Sequence, residues 1–122
     1  MCELEHFFTT RESSVDDNKV LICQYLNVAP KCLIHPEQTH SSNVAIVEPA
    51  RSEYQDTDSV ILTNKIQSVY LRFADCVPII FYDYKYNIAA IAHAGWRGTA
   101  SKIVVKTLIK MVKLNNSSPE NI

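Results

Sequence analysis

Residues 69–98 read VYLRFADCVPIIFYDYKYNIAAIAHAGWRG. Two nearly continuous apolar runs, 77–84 and 88–92, flank a hairpin-like Asp83-Tyr84-Lys85-Tyr86-Asn87. Runs of this kind are expected of strands buried on both faces. Ala74-Asp75-Cys76 opens the first run, and His93-Ala94-Gly95-Trp96-Arg97-Gly98 follows the second. Both glycines of the protein fall in that last segment. Such a concentration predicts special backbone geometry there, turning the chain after His93 so that Arg97 and the next helix face one cleft.

Working outward, the period changes after Gly98. Ile103, Val104, Leu108, Met111 and Val112 recur three and four apart, which predicts an amphipathic helix ending near Asn115-Asn116. Lys102, Lys106, Lys110 and Lys113 would form its solvated face. Pro119 restarts structure. Upstream, residues 68–73 alternate partly, and 59–62 and 44–47 read as strands. Residues 51–57 read as an exposed loop. A short strand at 31–34 leads into His35-Pro36-Glu37-Gln38-Thr39-His40, where Pro36 demands a turn or a sheet edge. Ser13 or Ser14 is placed to cap a helix running to about Leu26, with Asp16 and Asp17 in its first turn. Residues 4–10 read as a first strand, with His6 a structural member.

The totals suit one ordinary globular domain. The chain has 122 residues, 47% hydrophobic and 20% charged, with a net charge of -1. That balance argues against a nucleic-acid or polybasic membrane role. No apolar run approaches the roughly 20 residues of a membrane span. Acidic residues precede any apolar stretch at the N-terminus, unlike a secretory signal, so a cytoplasmic protein is expected. Cys2, Cys23, Cys32 and Cys76 form no Cys-x-x-Cys pair and are expected to be reduced thiols.

Three residues could carry chemistry, each with a plainer alternative. Cys76 is a thiolate at a strand start, acting as ligand or nucleophile, or else a buried structural cysteine. His93 is presented to a cleft by the glycine turn, or is a core histidine bonded to backbone. His40 shares its polar loop with a competitor, His35, or is simply exposed. Together they supply two imidazoles and a thiolate from separate segments. Zinc accepts that set, and three protein ligands leave a fourth position for water or substrate. Asp75 orients a ligand, binds substrate or caps a turn. Arg97 holds an anion such as phosphate, or is a surface arginine. Trp96 stacks on a planar base or packs as core or lid.

ADCVPIIFYD, followed by IAAIAHAGWRGTASKIVVKTL, resembles the signature of the YfiH-like, or laccase-domain, family. EQTHSSNV is similar to that family's upstream Gln-x-His loop, and TDSVILTN to the segment between. The resemblance runs from about Ile34 to Ile122 and includes the closing Ser-Pro-Glu-Asn-Ile. Before it, only Phe-Thr-Thr-Arg and a helix are kept. The resemblance implies an α+β protein with an α/β/β/α layered fold and mixed sheets. It implies a metal site of His40, Cys76 and His93, with zinc favoured over copper. It also implies action on purine nucleosides: phosphorolysis of adenosine, inosine, guanosine or methylthioadenosine, and adenosine deamination. The small-molecule partners are then a purine nucleoside and phosphate. Cys76, His93 and Asp75 become catalytic candidates, and Arg97, Trp96 and Gln38 substrate-binding candidates.

Members of the family usually run to double this length. The chain, 1–122, is therefore expected to be a single partial domain, truncated or pairing with another chain as in a homodimer. Two further readings stand beside the zinc enzyme. One is a metal-free hydrolase with Cys76 as nucleophile and His93 as base, acting on an amide bond such as a peptidoglycan precursor's. The other is a non-catalytic half-domain that binds a partner chain.

Overall fold

The computed structural model of the chain describes residues 4–122; Cys2 lies outside them. In chain order the regular elements are α1 (Lys19–Tyr25), β1 (Leu33–Ile34), β2 (Val44–Ile46), β3 (Ser59–Leu62), β4 (Ser68–Val69), β5 (Val77–Asp83), β6 (Ile88–Ala94), α2 (Trp96–Ala100) and α3 (Ile103–Asn115). Short 3-10 turns occupy Arg11–Ser13, Pro30–Cys32 and Pro119–Asn121. No described helix is long and apolar enough to cross a membrane.

The main sheet has the order β2-β3-β6-β5, with β2 parallel to β3 and the other pairs antiparallel. A second, parallel pair joins β1 to β4. The period-two pattern of β6 explains what packs on it. Ile88, Ala90, Ala92 and Ala94 are buried on one face. The alanines add no bulk beyond Cβ, so α3 lies close, its Ile103 and Met111 completely buried in the same cluster. Each such side chain stabilises the fold by about 1.5–3 kcal/mol. On the sheet's other face, Val60 packs with Ile34, Val47 and Tyr54 and with Val69 of the small pair. Beyond that pair, Ile22 and Cys23 of α1 meet Leu33. The layers are thus α3, main sheet, small sheet and α1: the expected α/β/β/α arrangement with mixed strand directions.

Several local expectations give way. Residues 4–10 form no strand; they have no ladder partner among the described residues, and His6, Phe7 and Phe8 are exposed. The first helix begins at Lys19 rather than at Ser14. Ser14 instead closes a turn, accepting from the Asp17 N–H (3.3 Å). Asp16 sits at no helix terminus and accepts from the Tyr70 hydroxyl (3.0 Å) and from Arg72. The 51–57 loop is not wholly exposed. Tyr54 is buried, and its hydroxyl accepts from the Glu48 N–H (2.9 Å).

Strand β5 is not buried on both faces. It is an edge of the sheet, and Val77 and Ile80 are exposed. Its turn into β6 is fixed by Asp83, which accepts from the N–H groups of Lys85 (3.0 Å) and Tyr86 (3.1 Å) and from the Ser117 hydroxyl. The last helix is interrupted at Lys102, a left-handed residue (φ 63°) between α2 and α3. Its lysine face is only partly free: Lys106 donates to Ser42 Oγ, and Lys110 to the Val44 carbonyl (2.6 Å).

Candidate metal centre

Strand register brings two of the sequence-predicted residues together. Val77 pairs with Ala94 and Pro78 with His93. One step beyond, Cys76 meets the residue after β6, Gly95. The third residue arrives on the loop between β1 and β2, where His40 takes a left-handed conformation (φ 62°). One donor atom each from His40, Cys76 and His93 lies within 4.8 Å of the other two. The imidazole rings of His40 and His93 stand 4.9 Å apart at 63°. His93 is buried, Cys76 half-buried and His40 exposed, so the cluster opens on one side.

The glycines work by space rather than by conformation. Neither has a positive φ, contrary to expectation. A Cβ on Gly95 would stand 3.1 Å from Cys76 Sγ and 3.1 Å from His40 Cδ2. A Cβ on Gly98 would stand 2.9 Å from the Ser41 carbonyl oxygen, beside His40. Both absences let the ligand-bearing segments close on one another.

Behind the cluster lies a residue that pattern reading missed. Asp58 is completely buried. Its main-chain carbonyl accepts from the His93 N–H (2.7 Å), and its Oδ2 accepts from His93 Nδ1 (2.7 Å). This leaves His93 Nε2 as the free donor atom. The same carboxylate accepts from the N–H groups of Thr39 (3.0 Å), His40 (3.1 Å) and Ser41 (2.8 Å). Burial opposes its charge, but the bonds from His93, Thr39 and Ser41 outweigh burial and hold the carboxyl below its ordinary value. In the sequence Asp58 is one polar residue of Thr57-Asp58-Ser59, with nothing local to single it out.

Asp75, expected as a ligand orienter, is exposed and touches Cys76 Sγ at 3.8 Å. The carboxylate bonded to a histidine of the cluster is that of Asp58. Partial burial, together with the charges of Asp75 and Asp58, pushes the Cys76 thiol above its ordinary value. Gln38, a substrate-binding candidate, has both polar atoms of its side chain on backbone. Its Nε2 donates to the Arg72 carbonyl (2.9 Å), and its Oε1 accepts from the Arg72 N–H (2.7 Å). It fastens the His40 loop to the segment leading to Cys76. His35, the competitor of His40, stacks on Tyr70 at 4.3 Å and donates to its carbonyl, away from the cluster. Trp96 and Arg97 are exposed at the start of α2, with the guanidinium 5.2 Å from the indole centre.

The donor set fits a metal ion. Tetrahedral zinc, with bonds of about 2.0–2.1 Å to nitrogen and 2.3 Å to sulfur, needs its donors about 3.3–3.6 Å apart. His40, on an exposed loop, can close the remaining distance. A carboxylate behind one imidazole is the usual support of a metal-binding histidine. A cavity of about 640 Å³ lies elsewhere, behind β5 and β6, lined by Phe7, Leu33, Val69, Phe73 and Ile80 among others. One of its lining residues, Phe73, has its ring edge-on to His93 at 5.3 Å. The chemistry, not the larger cavity, marks the site.

Comparison with known proteins adds the family. The model of the family described as multi-copper polyphenol oxidoreductase laccase matches residues 4–122, reaching thirty residues further upstream than the sequence resemblance did. A purine nucleoside phosphorylase of Bacteroides thetaiotaomicron is 29% identical over 98% of this chain and 55% of its own length. A protein named adenosine deaminase RL5, from an unknown prokaryotic organism, is 32% identical over 80% of this chain and 40% of its own. The hypothetical protein YfiH of Bacillus licheniformis superposes with a TM-score of 0.79 at 26% identity, covering 88% of this chain and 43% of that one. The chain spans about half the length of the curated relatives it matches.

Proposed function

The chain belongs to the multi-copper polyphenol oxidoreductase laccase family, and from that premise we propose that it serves a zinc-dependent enzyme of purine nucleosides. The reactions are phosphorolysis of adenosine, inosine, guanosine or methylthioadenosine, and deamination of adenosine. One observation carries the reading: His40, Cys76 and His93, from three separate segments, place their donor atoms within 4.8 Å of one another. Relatives named purine nucleoside phosphorylase and adenosine deaminase supply the substrate class.

A ring nitrogen of His40, Cys76 Sγ and His93 Nε2 would hold the ion. Zinc bound there would supply a Lewis acid with a free position for a substrate oxygen or water. The protein's own groups then have distinct work. Asp58 keeps a proton on His93 Nδ1, so that Nε2 stays an acceptor. Asp75, in contact with Cys76 Sγ and open to solvent, is placed to carry a proton to or from a bound substrate. Trp96, 77% exposed, offers a flat surface on which a purine can stack. Arg97, beside it, offers a guanidinium to phosphate.

The metal-free hydrolase has less support. A cysteine nucleophile is activated by an adjacent base or a lowered pKa, whereas Cys76 Sγ contacts the Asp75 carboxylate and the thiol is pushed up by partial burial and by the charges of Asp75 and Asp58. The test measures zinc content, and turnover of adenosine alone and of inosine with phosphate, in the purified chain. Zinc near one equivalent in the wild-type chain, with zinc bound more weakly and turnover lost in Cys76→Ala, is expected. Full turnover in metal-free protein would overturn the proposal.

A further inference from the structure

Resting on the reading that His40, Cys76 and His93 hold a metal ion, we propose that Asp58 is a positioning residue that sets both imidazole ligands at once. Its carboxylate faces two ways. Towards β6, Oδ2 accepts from His93 Nδ1 (2.7 Å), which fixes the tautomer and the plane of that ring. Towards the loop, Oδ1 accepts from the N–H groups of Thr39 (3.0 Å) and Ser41 (2.8 Å) and from the Ser41 hydroxyl (2.9 Å), while Oδ2 accepts from the His40 N–H (3.1 Å).

Three consecutive N–H groups thus converge on one buried anion. This is a backbone nest, made possible by the left-handed φ of 62° at His40. The arrangement couples two ligands that are 53 positions apart in sequence. His93 sits on a rigid strand and needs only its proton fixed. His40 sits on an exposed loop in a left-handed backbone region uncommon for residues other than glycine, and the nest holds it there. One carboxylate meets both needs, because Asp58 is the residue beside His93 at the start of β3. Thr39 and Asn43 also bond to Asp56, but that side of the loop is exposed. Removing the Asp58 charge therefore disturbs two of the three ligands.

The experiment uses the full chain and metal alone, Zn²⁺ for affinity and Co²⁺ for its visible spectrum. Asp58→Asn keeps the size of the side chain. It is expected to weaken Zn²⁺ binding about 10- to 100-fold and to alter the Co²⁺ bands, with unchanged far-ultraviolet circular dichroism. In a His40→Ala background the same substitution is expected to cost clearly less, because part of its effect runs through His40. Asp58→Ala, which leaves a cavity lined by the donors, is expected to regain Zn²⁺ affinity with formate but not with neutral formamide. Equal losses in the wild-type and His40→Ala backgrounds, or no rescue by formate in a folded Asp58→Ala protein, overturn the coupling. A wild-type chain that binds neither metal overturns the metal reading itself, a result distinct from either.

Discussion

Gly98 leaves the Ser41 carbonyl the space that a side chain would take: a Cβ on Gly98 would stand 2.9 Å from the Ser41 carbonyl oxygen. The contact joins α2, which follows His93, to the loop that carries His40. In an exposed helix, Gly→Ala would gain about 1 kcal/mol. Here the obstacle is backbone, and overpacking of this kind costs about 1–3 kcal/mol. Gly98→Ala is therefore expected to lower stability in urea titration, net by about 1 kcal/mol, and to weaken zinc binding by moving the neighbour of His40. A more stable variant with wild-type zinc affinity would contradict the close approach.

Gly95→Ala separates metal binding from folding. Its added Cβ would sit 3.1 Å from both Cys76 Sγ and His40 Cδ2, side-chain atoms able to give a little. Its φ of -77° suits alanine. Calorimetry is expected to find stability within about 1 kcal/mol of wild type, while zinc affinity falls by about tenfold or more. An unchanged affinity would mean that the two ligands do not need this space.

Gln38 offers a choice between holding substrate and holding the chain. Its two bonds to the Arg72 backbone predict a structural cost for Gln38→Ala of about 1–2 kcal/mol in urea titration. Unchanged stability with a raised KM would restore it to the substrate pocket.

The three clustered residues, His40, Cys76 and His93, were legible because they lie in compact local signatures, Gln-x-His, Ala-Asp-Cys and His-Ala-Gly-Trp-Arg-Gly. Strands β3, β5 and β6 and helix α3 were legible from period and composition. What escaped depends on register. Asp58 reads as an ordinary polar residue before a strand; only the pairing of β3 with β6 places it against His93. The roles of Gly95 and Gly98 escaped for the same reason, since close approach belongs to the partner segment and leaves no local mark. Residues 4–10 carry strand-like composition, but a strand also needs a neighbour, which composition cannot supply. Val77 and Ile80 read as core because their run is apolar, yet β5 is an edge strand: Ile80 lies on the face opposite Ile79 and Phe81, which pack in the α3 cluster, and Val77 is exposed at the strand's start.

Asp83 predicts how stability depends on pH. Burial opposes its charge, but the bonds from Ser117, Tyr86 and Lys85 outweigh burial and hold its carboxyl below the ordinary value. A group depressed in the folded state stabilises the fold above its unfolded pKa, near 3.9. That contribution fades as pH falls through the lower folded value. Asp83→Asn is thus expected to be less stable than wild type at neutral pH, with the gap narrowing below about pH 4. Thermal melts across that range check it; a gap independent of pH would remove the charge from the explanation.

X-ray absorption at the zinc edge tests the metal centre most directly, using the purified chain and its Cys76→Ala variant. The expected spectrum has two nitrogens and a solvent oxygen in a shell at about 2.0 Å and one sulfur at about 2.3 Å, with the sulfur lost in the variant. A chain that retains no zinc, or a zinc shell with no sulfur that Cys76→Ala leaves unaltered, would contradict the account.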